Sequence, residues 1–358
     1  MNTKLCLSLF VMSIFLSFNV LAQQPSEAQR LDSITITSTA IELPFKKNSR
    51  TITLISSEVI KQSPATNLAE LLQQEAGIDV RRQGVNGMQA DLYIRGGSFD
   101  QTLLLIDGIK VEDPQTGHHT LNMALPLGVI ERVEIIKGPA ARVFGQNAFT
   151  GAINIVTKSN ADTVNSVGYK LGSYNQQQAS GTLGTNLGNT SLIGHASVNT
   201  SEGYRHNTDF ENQNYFVKGR FNTNGNPIDV IGTFSERKFG ANQFYAVESG
   251  HDQYEETQSS LVGASTKFQT ENFKITPRVY WKRNQDMYLY VRERPSVYRN
   301  LHISNKVGLQ VNASYTSNAG ITGFGIDAAK VFMTSTNLGE RDRTMANLFV
   351  EHRFSLAD

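Results

Sequence analysis

From Val164 to the end of the chain, apolar and polar residues alternate in segments of about ten residues. In the segment NKVGLQVNASY, Val307 and Leu309 would face one way, while Lys306 and Gln310 would face the other. Ten residues is also the length that a tilted strand needs to cross a bilayer. The pattern predicts an antiparallel membrane β-barrel with an apolar outer face and a wet lumen. The same alternation occurs in two other segments, SLIGHASVN and FKITPRVYW.

The connections between these segments alternate in length, which favours a barrel over a soluble β-sandwich, the main alternative. Short turns are expected on the periplasmic side and long loops outside. Only the first connection, near Ser173, is short where a long one is due. The short connections are 188–189, 223–227, 270–272 and 316–320, and the long ones are 201–212, 239–256, 285–301 and 333–343.

The first residues of this 358-residue chain predict export. Lys4, an apolar stretch over residues 5–18 and small residues before Ala22 are typical of a signal peptide over residues 1–22. A transmembrane helix is the weaker alternative, because the stretch is short. The only cysteine, Cys6, lies inside it, so the mature chain is expected to have no thiol. Because no other apolar run approaches membrane-helix length, an exported chain entering a membrane must do so as a barrel.

Residues 49–158 differ from the alternating region and predict a small α+β domain. Asn67 can cap a short helix that Gly77 ends. The buried strand TLLLI leads into Asp107 and Gly108, a pair that predicts a tight hairpin turn. The polar loop VEDPQTGHHTLN follows, and two further strands complete the domain.

Residues 23–48 predict a polar arm with one β-prone strip. In that strip Ile34 and Ile36 alternate with Thr35 and Thr37, and no partner strand is expected nearby. Two interpretations stay open. The arm is either a disordered linker or a segment that adds as an edge strand to another protein.

Two long stretches, YIRGGSFDQTLLLIDGIKV and VIERVEIIKGPAARVFGQNAFTGAINIVTK, resemble the plug domain of TonB-dependent outer-membrane receptors. The strip LDSITITSTA resembles the TonB box of that family. The sequence of these motifs is most similar to that of receptors for vitamin B12 and related iron-complex receptors. The resemblance implies a plug domain over residues 49–158 inside a barrel whose first ten or so strands occupy residues 159–358. Because the family barrel has 22 strands, we expect the chain to be a truncated piece of a longer receptor.

The resemblance also implies a function. The protein would lie in the outer membrane of a Gram-negative bacterium, among outer-membrane lipid, and bind a ferric siderophore or cobalamin at its outer face. TonB, energised by the inner-membrane proton-motive complex, would pair with the arm and drive import into the periplasm. The full-length receptor would be a monomer without a cofactor. The predicted TonB-box residues are Asp32, Ile34, Thr35, Ile36 and Thr37.

Two further sets of residues are candidates for the site. One set would contact the ligand and the other would join the plug to the barrel. The alternative for the plug–barrel set is a solvated strand face, and the alternative for the two histidines of the ligand set is solvation in a polar loop. Because adjacent side chains rarely point at one ion, we expect no metal site there. The ligand-contact candidates are Gln115, His118, His119 and Tyr245, and the candidates for plug–barrel contacts are Arg95, Arg132, Glu134 and Lys137.

Other functions have less support. The chain has no Walker loop, dinucleotide fingerprint, zinc helix motif or nucleophile elbow, so we expect no enzyme. With 33 basic and 32 acidic residues it is near neutral, which argues against a nucleic-acid partner. Asp209 and Glu211 lack the regular spacing of a calcium loop. A passive channel or adhesin would lack the arm and the plug, and a receptor for a small glycan or peptide stays open, as does the need for a partner lipoprotein.

Overall fold

The chain folds into two parts joined to an N-terminal arm. We call residues 51–162 the plug, residues 164–354 the wall, and the described residues before them, 35–36 and 41–44, the arm. In the described part of the chain, no helix has the length and hydropathy of a membrane span. The predicted signal peptide over 1–22 lies outside that part. The computed structural model describes residues 35–36, 41–44, 51–84, 88–122, 125–162, 164–223, 225–246 and 250–354.

The described arm residues form two short strands, β1 (Thr35–Ile36) and β2 (Leu43–Pro44). The plug is an α+β unit. Its helices are α1 (Ser57–Gln62), α2 (Leu68–Gln73) and α3 (Ala141–Phe144). Its strands are β3 (Ile52–Ser56), β4 (Ile78–Gln83), β5 (Gln89–Ile94), β6 (Thr102–Ile106), β7 (Ile109–Lys110), β8 (Ile130–Lys137) and β9 (Gly151–Thr157).

The plug is organised around a five-stranded sheet in the order β3-β8-β9-β6-β7, with the hairpin β4–β5 beside it. Strands β6 and β9 pair in parallel, and every residue of β6 is buried, as expected for a strand covered on both faces. The Asn67 side chain accepts the Glu70 N–H at 3.0 Å and caps α2. Asp107 and Gly108, with φ of 49° and 80°, make the predicted turn between β6 and β7.

The wall is one antiparallel sheet in which each strand pairs with its sequence neighbour, except that the short β16 adds only to β17. Ten strands lie on the path, as predicted. They are β10 (Ser166–Gly172), β11 (Gln176–Leu187), β12 (Thr190–Ser201), β13 (Phe210–Thr223), β14 (Asn226–Gly240), β15 (Tyr254–Thr266), β17 (Phe273–Leu289), β18 (Arg299–Ser317), β19 (Gly320–Ser335) and β20 (Gly339–Phe354), and β16 is Phe268–Gln269.

Burial in the wall is inverted relative to a soluble protein. On β18, Val307 and Leu309 are 52% and 44% exposed, whereas Lys306 and Gln310 are 2% and 6% exposed. The polar face is therefore turned toward the plug and the apolar face away from it, as the alternation predicts. This arrangement fits a barrel wall whose outer face meets lipid.

Two predictions about strand ends are wrong. Most wall strands are longer than ten residues, and β18 reaches 19. The segment 333–343 is not a long loop, because β19 and β20 pair up to Ser335 and Gly339 and leave a three-residue turn over 336–338. A strand that continues beyond the lipid meets water on both faces, so its polar residues resemble a loop in the sequence.

The wall and the plug share one apolar core. Gly263 of β15 allows a close approach, because a Cβ there would lie 2.5 Å from Ile109 Cδ1 of the plug. The wall and the plug therefore pack closely against each other at this position. The wall residues in this core are Val164, Ile193, Phe216, Ile231, Leu261 and Tyr280.

We predict that Val307→Arg destabilises the protein in lipid. The substitution places a guanidinium on the outward apolar face near the middle of β18, where the cost is about 2–4 kcal/mol. The control is Val307→Leu, which keeps the face apolar. Guanidinium titration in lipid vesicles measures the free energy of unfolding of both variants, and equal values would contradict the assignment of this face to lipid.

Candidate ligand-binding site

The two ends of the wall differ. The strand ends on either side of the connections from Ser201 to Phe210, Gly240 to Tyr254 and Leu289 to Arg299 lie at one end, which we call the long-loop end. The strand ends joined from Leu187 to Thr190, Thr223 to Asn226 and Ser317 to Gly320 lie at the other, the short-turn end. Alternating connections bring every long loop to the same side of the sheet, so side chains from separate loops can meet there.

Tyr245 joins the wall to the plug at the long-loop end. Its hydroxyl donates to Glu255 Oε2 at 2.6 Å and lies 3.2 Å from Oε1 of Gln89 in the plug. Glu255 and Gln89 are 1% and 3% exposed. The Tyr288 ring meets the Tyr245 ring edge to face, with 5.2 Å between centroids. Tyr245 is therefore fixed in orientation, with half of its side chain exposed to the loop side.

His119 lies against the same carboxylate from the plug side. It is buried, and its Nε2 lies 3.8 Å from Glu255 Oε1 and 3.5 Å from Asp286 Oδ2. Its Nδ1 lies 2.9 Å from Asn122 Nδ2. Two predicted ligand-contact residues, His119 and Tyr245, thus meet at Glu255. The expectation that the adjacent histidines are both solvated is wrong for His119, because the polar loop packs against the polar inner face of the wall.

His118 points elsewhere. Its Nδ1 lies 2.8 Å from Asp91 Oδ1, and its ring lies 4.3 Å from the Phe99 ring, within the plug. The two histidines therefore do not converge, as expected for sequence neighbours. His118 is half-buried.

Gln115, the fourth predicted contact, lies in the turn before the histidines. Its backbone N–H donates to Asp113 Oδ1 at 3.1 Å, which shapes the turn. Sequence reasoning missed Glu255 and Asp286. Both lie on inward-facing positions of β15 and β17 close to the long-loop end. Acidic residues at inward positions of an alternating strand were the available signal.

Charged residues that face inward from the wall find partners on the plug. Lys218 is 4% exposed, and its Nζ also donates to Thr157 Oγ1 at 2.7 Å. Such buried pairs fix the register of one part against the other, because an unpaired charge in this setting is costly. Among the described residues, three lysine–carboxylate pairs connect the two parts: Asp107–Lys218 at 2.9 Å, Lys110–Asp327 and Glu112–Lys306.

Glu112 is the clearest electrostatic case in the plug. Burial raises the pKa of its carboxyl, but the ammonium groups of Lys306 and Lys110 reverse that effect and lower the pKa to about 2. The carboxylate is therefore charged throughout the physiological range. Its contribution to stability is present above the ordinary value of 4.5 and is lost as the pH falls through about 2.

The residues predicted for plug–barrel contacts have described partners inside the plug. Arg132 pairs with Glu134 at 2.9 Å, and Lys137 Nζ donates to the Ala76 carbonyl at 2.6 Å. Arg95 is exposed and adopts a φ of 50°. These contacts lie within the plug because β8 lies between two strands of the plug sheet, and contact of these residues with the barrel stays a prediction. The turn after β6 and strand β7 lie nearer to the wall.

The arrangement of a charged, apolar-cored plug against an inverted wall has a known counterpart. A sequence profile described as TonB-dependent Receptor Plug Domain matches residues 44–152. Residues 44–152 are a TonB-dependent receptor plug domain. The resemblance drawn from the sequence is confirmed, and the strands that follow match the barrel of such receptors in fold.

The curated proteins that this chain is similar to are named as transporters. The Vitamin B12 transporter BtuB of Vibrio vulnificus (strain CMCP6) is 35% identical over 141 residues, which cover 39% of this chain and 23% of that protein. BtuB of Vibrio cholerae serotype O1 (strain M66-2) is 32% identical over 164 residues, which cover 46% of this chain and 27% of that protein. The chain therefore matches about a quarter of the length of these relatives.

Solved structures of similar fold are receptors. The siderophore receptor PirA from Pseudomonas aeruginosa has a TM-score of 0.67 and 17% identity, covering 87% of this chain and 54% of that one. The Serratia marcescens hemophore receptor HasR, solved with its hemophore HasA and heme, has a TM-score of 0.65 and 14% identity, covering 85% and 49%. These likenesses show the fold, and this chain spans about half of each neighbour.

The predicted TonB box is described only in part. Thr35 and Ile36 form β1, which pairs antiparallel with β2 so that Ile36 opposes Leu43. Ile36 is fully buried. The expectation of no nearby partner strand is therefore wrong, because the arm folds back on itself. Three predicted box residues lie outside the described part: Asp32, Ile34 and Thr37.

Glu42 fastens the arm to the wall at the short-turn end. Its Oε2 accepts from Lys267 Nζ at 2.9 Å and from Lys274 Nζ at 2.8 Å. Burial raises the pKa of the Glu42 carboxyl, but the two ammonium groups lower it further, so it lies below the ordinary value. We call these three residues the latch.

Asp209, one of the acids considered for calcium, is already paired. Arg292 donates to both of its carboxylate oxygens, at 2.7 and 2.8 Å. A bidentate pair of this kind occupies the oxygens that a cation would need. The pair joins the loop before β13 to the loop after β17 at the long-loop end.

We predict that Glu112→Gln weakens the plug–wall association by about 3–5 kcal/mol, because it leaves the Lys306 ammonium buried and without its carboxylate. Denaturant titration at pH 7 measures the loss in the free energy of unfolding. The difference between wild type and variant should shrink as the pH falls from 4.5 toward about 2, where Glu112 itself becomes protonated.

The control for this experiment is the double variant Glu112→Gln, Lys306→Met. Removing both charges should recover much of the lost stability, since a buried ion pair is often replaceable by an apolar contact. An equal loss in the single and double variants would show that the pair does not couple the plug to the wall.

Proposed function

We propose that the chain is part of a TonB-dependent receptor in the outer membrane of a Gram-negative bacterium. It binds a scarce ligand, a ferric siderophore or cobalamin, at its outer face and passes it to the periplasm with energy delivered through TonB. The observation that carries the proposal is the plug domain, which buried ion pairs hold against a wall with an apolar outer face. The arm adds a short paired strand that contains the buried Ile36.

The plug argues against a passive channel or an adhesin. Its apolar core continues into wall residues such as Leu261, and its charges are matched by wall lysines such as Lys218 and Lys306. A channel that conducts passively needs an open lumen, whereas here the plug packs against the polar inner face of the wall. Passage of a ligand then requires movement of the plug.

Movement of the plug requires energy from elsewhere, because the outer membrane has neither ATP nor an ion gradient. The long-loop end, with His119 and Tyr245 beside Glu255, faces outward in this proposal and receives the ligand. The short-turn end, with the arm, faces the periplasm. Ligand and energy source therefore act at opposite ends of the plug.

TonB would replace the arm's own strand pairing. Strand β1 pairs with β2 over only two residues, Thr35 opposite Pro44 and Ile36 opposite Leu43. A ladder this short is weak, so an incoming strand of another protein can take its place by adding backbone hydrogen bonds. The latch at Glu42 would have to open first if the arm is to leave the wall.

We predict that Ile36→Pro abolishes uptake and leaves ligand binding at the outer face intact. Proline removes a strand N–H and cannot complete the ladder with TonB. Uptake of labelled cobalamin or ferric siderophore by whole cells, compared with binding to isolated outer membranes, separates the two effects.

The matched control is Ile36→Val, which keeps a β-branched apolar side chain at this buried position and should transport normally. Normal uptake by the proline variant would contradict the TonB-box assignment. Loss of binding in the proline variant would show that the arm serves the fold rather than energy coupling.

The ligand is open between cobalamin, which the names of the curated relatives support, and an iron complex, which the solved neighbours support. We predict that deleting the gene slows growth under one limitation, iron or cobalamin, and not under the other. Growth curves with and without the gene, and with the gene restored, measure the difference. No defect under either limitation would favour the alternative, a receptor for a small glycan or peptide.

A further inference from the structure

We propose that His119, Glu255 and Asp286 form a binding site for a divalent cation of the Zn²⁺ type, bridging the plug to the wall near the long-loop end. Each residue offers one ligand atom, and the three atoms lie within 4.8 Å of one another. One imidazole and two carboxylates make a donor set that suits zinc and other first-row divalent ions. The site does not depend on which ligand the receptor imports.

The distances from His119 Nε2 to the two carboxylates are close to those around a tetrahedral ion. With zinc–ligand bonds of about 2.0–2.2 Å, neighbouring ligand atoms in a tetrahedron lie about 3.4 Å apart. His119 Nε2 lies 3.5 Å from Asp286 Oδ2 and 3.8 Å from Glu255 Oε1. An adjustment of a few tenths of an ångström in these two distances would bring them to coordinating geometry.

Two carboxylate oxygens at the site have no hydrogen-bond partner. Among the described residues, Glu255 Oε1 and Asp286 Oδ1 are buried without a hydrogen-bond partner. Glu255 is 1% exposed, and its other oxygen accepts from Tyr245 at 2.6 Å. Two carboxylates this close repel each other, and a buried acceptor left unpaired is costly. A divalent ion bound to Glu255 Oε1 and Asp286 Oδ2 would pair the first of these oxygens and balance the charge of both carboxylates.

Asn122 would position the imidazole. Its side-chain oxygen accepts from Arg237 at 2.9 Å, which turns its amide nitrogen toward His119 Nδ1. A neutral histidine that binds metal through Nε2 carries its proton on Nδ1 and needs an acceptor there. The amide must therefore turn over when the ion binds. An aspartate at this position would accept that proton without turning and would still face Arg237.

The adjacent histidines do not bind one ion together, but the fold brings two carboxylates of the wall to His119. His118 and His119 do diverge, since His118 pairs with Asp91 at 2.8 Å. The remaining ligands come from the wall, 136 and 167 positions farther along the chain (255 − 119 and 286 − 119). A site assembled from three such distant segments has no local motif.

The test is a Zn²⁺ titration of the purified full chain in detergent, after stripping with a chelator and in competition with a chromophoric chelator. Wild type should bind one equivalent, and Co²⁺ should give the absorption of a tetrahedral site. His119→Ala, and the near-isosteric Glu255→Gln and Asp286→Asn, should each weaken binding at least about tenfold. Circular dichroism confirms that each variant is folded.

Two controls make the result decisive. His118→Ala and His206→Ala should bind like wild type, because the first faces Asp91 and the second pairs with Asp252 on the surface. Asn122→Asp should tighten binding by about tenfold or more, and Asn122→Ala should weaken it by about 10–100-fold. No bound equivalent in wild type, equal loss in the His118 or His206 variants, or weaker binding by Asn122→Asp would overturn the proposal.

Discussion

The inner face of the wall carries lysines and arginines that cannot stay buried alone, and this requirement governs the rest of the molecule. Lys218, Lys306 and Arg278 are each less than a tenth exposed. A strand wall in lipid must turn its polar side chains inward, because its outer face is apolar and its backbone groups are already paired with each other. The plug supplies the missing carboxylates, carbonyls and hydroxyls, so wall and plug are each incomplete without the other.

The same requirement explains why the plug has an unusual surface for a domain of its size. Its loop after β7 is rich in polar residues, yet Asp113, His119 and Asn122 are buried. In a soluble domain such a loop would be in water. Here it meets a wall that is itself polar, and hydrogen bonds such as Ser235 to the Asn122 carbonyl, at 2.7 Å, replace those to solvent.

Much of the fold could be predicted from local chemistry. The cap at Asn67, the turn at Asp107 and Gly108 and the two faces of β18 all follow from residue type and spacing over a few positions. The pairing of Glu112 with Lys306 could not be predicted in this way, since 194 residues separate them and either side chain alone looks solvated.

Only part of the candidate site could be predicted from the sequence, for the same reason. His119 and Tyr245 stood out as an imidazole and an aromatic in polar loops, but the carboxylate that both approach, Glu255, lies inside a strand. Polarity also misled the prediction at the turn over 336–338, where water on both sides of a strand imitates a loop. The sequence shows which residues are polar. Tertiary packing decides whether a polar side chain contacts water or another side chain.

The latch determines the order in which tension would travel through the molecule. Glu42 lies between Ile36 and the first plug strand along the chain, and its carboxylate is tied to Lys267 and Lys274 on the wall. A pulling force applied to the arm would therefore load the contacts of Glu42 with the wall before it reached the plug. Strand β3 would begin to unfold only after both contacts had broken.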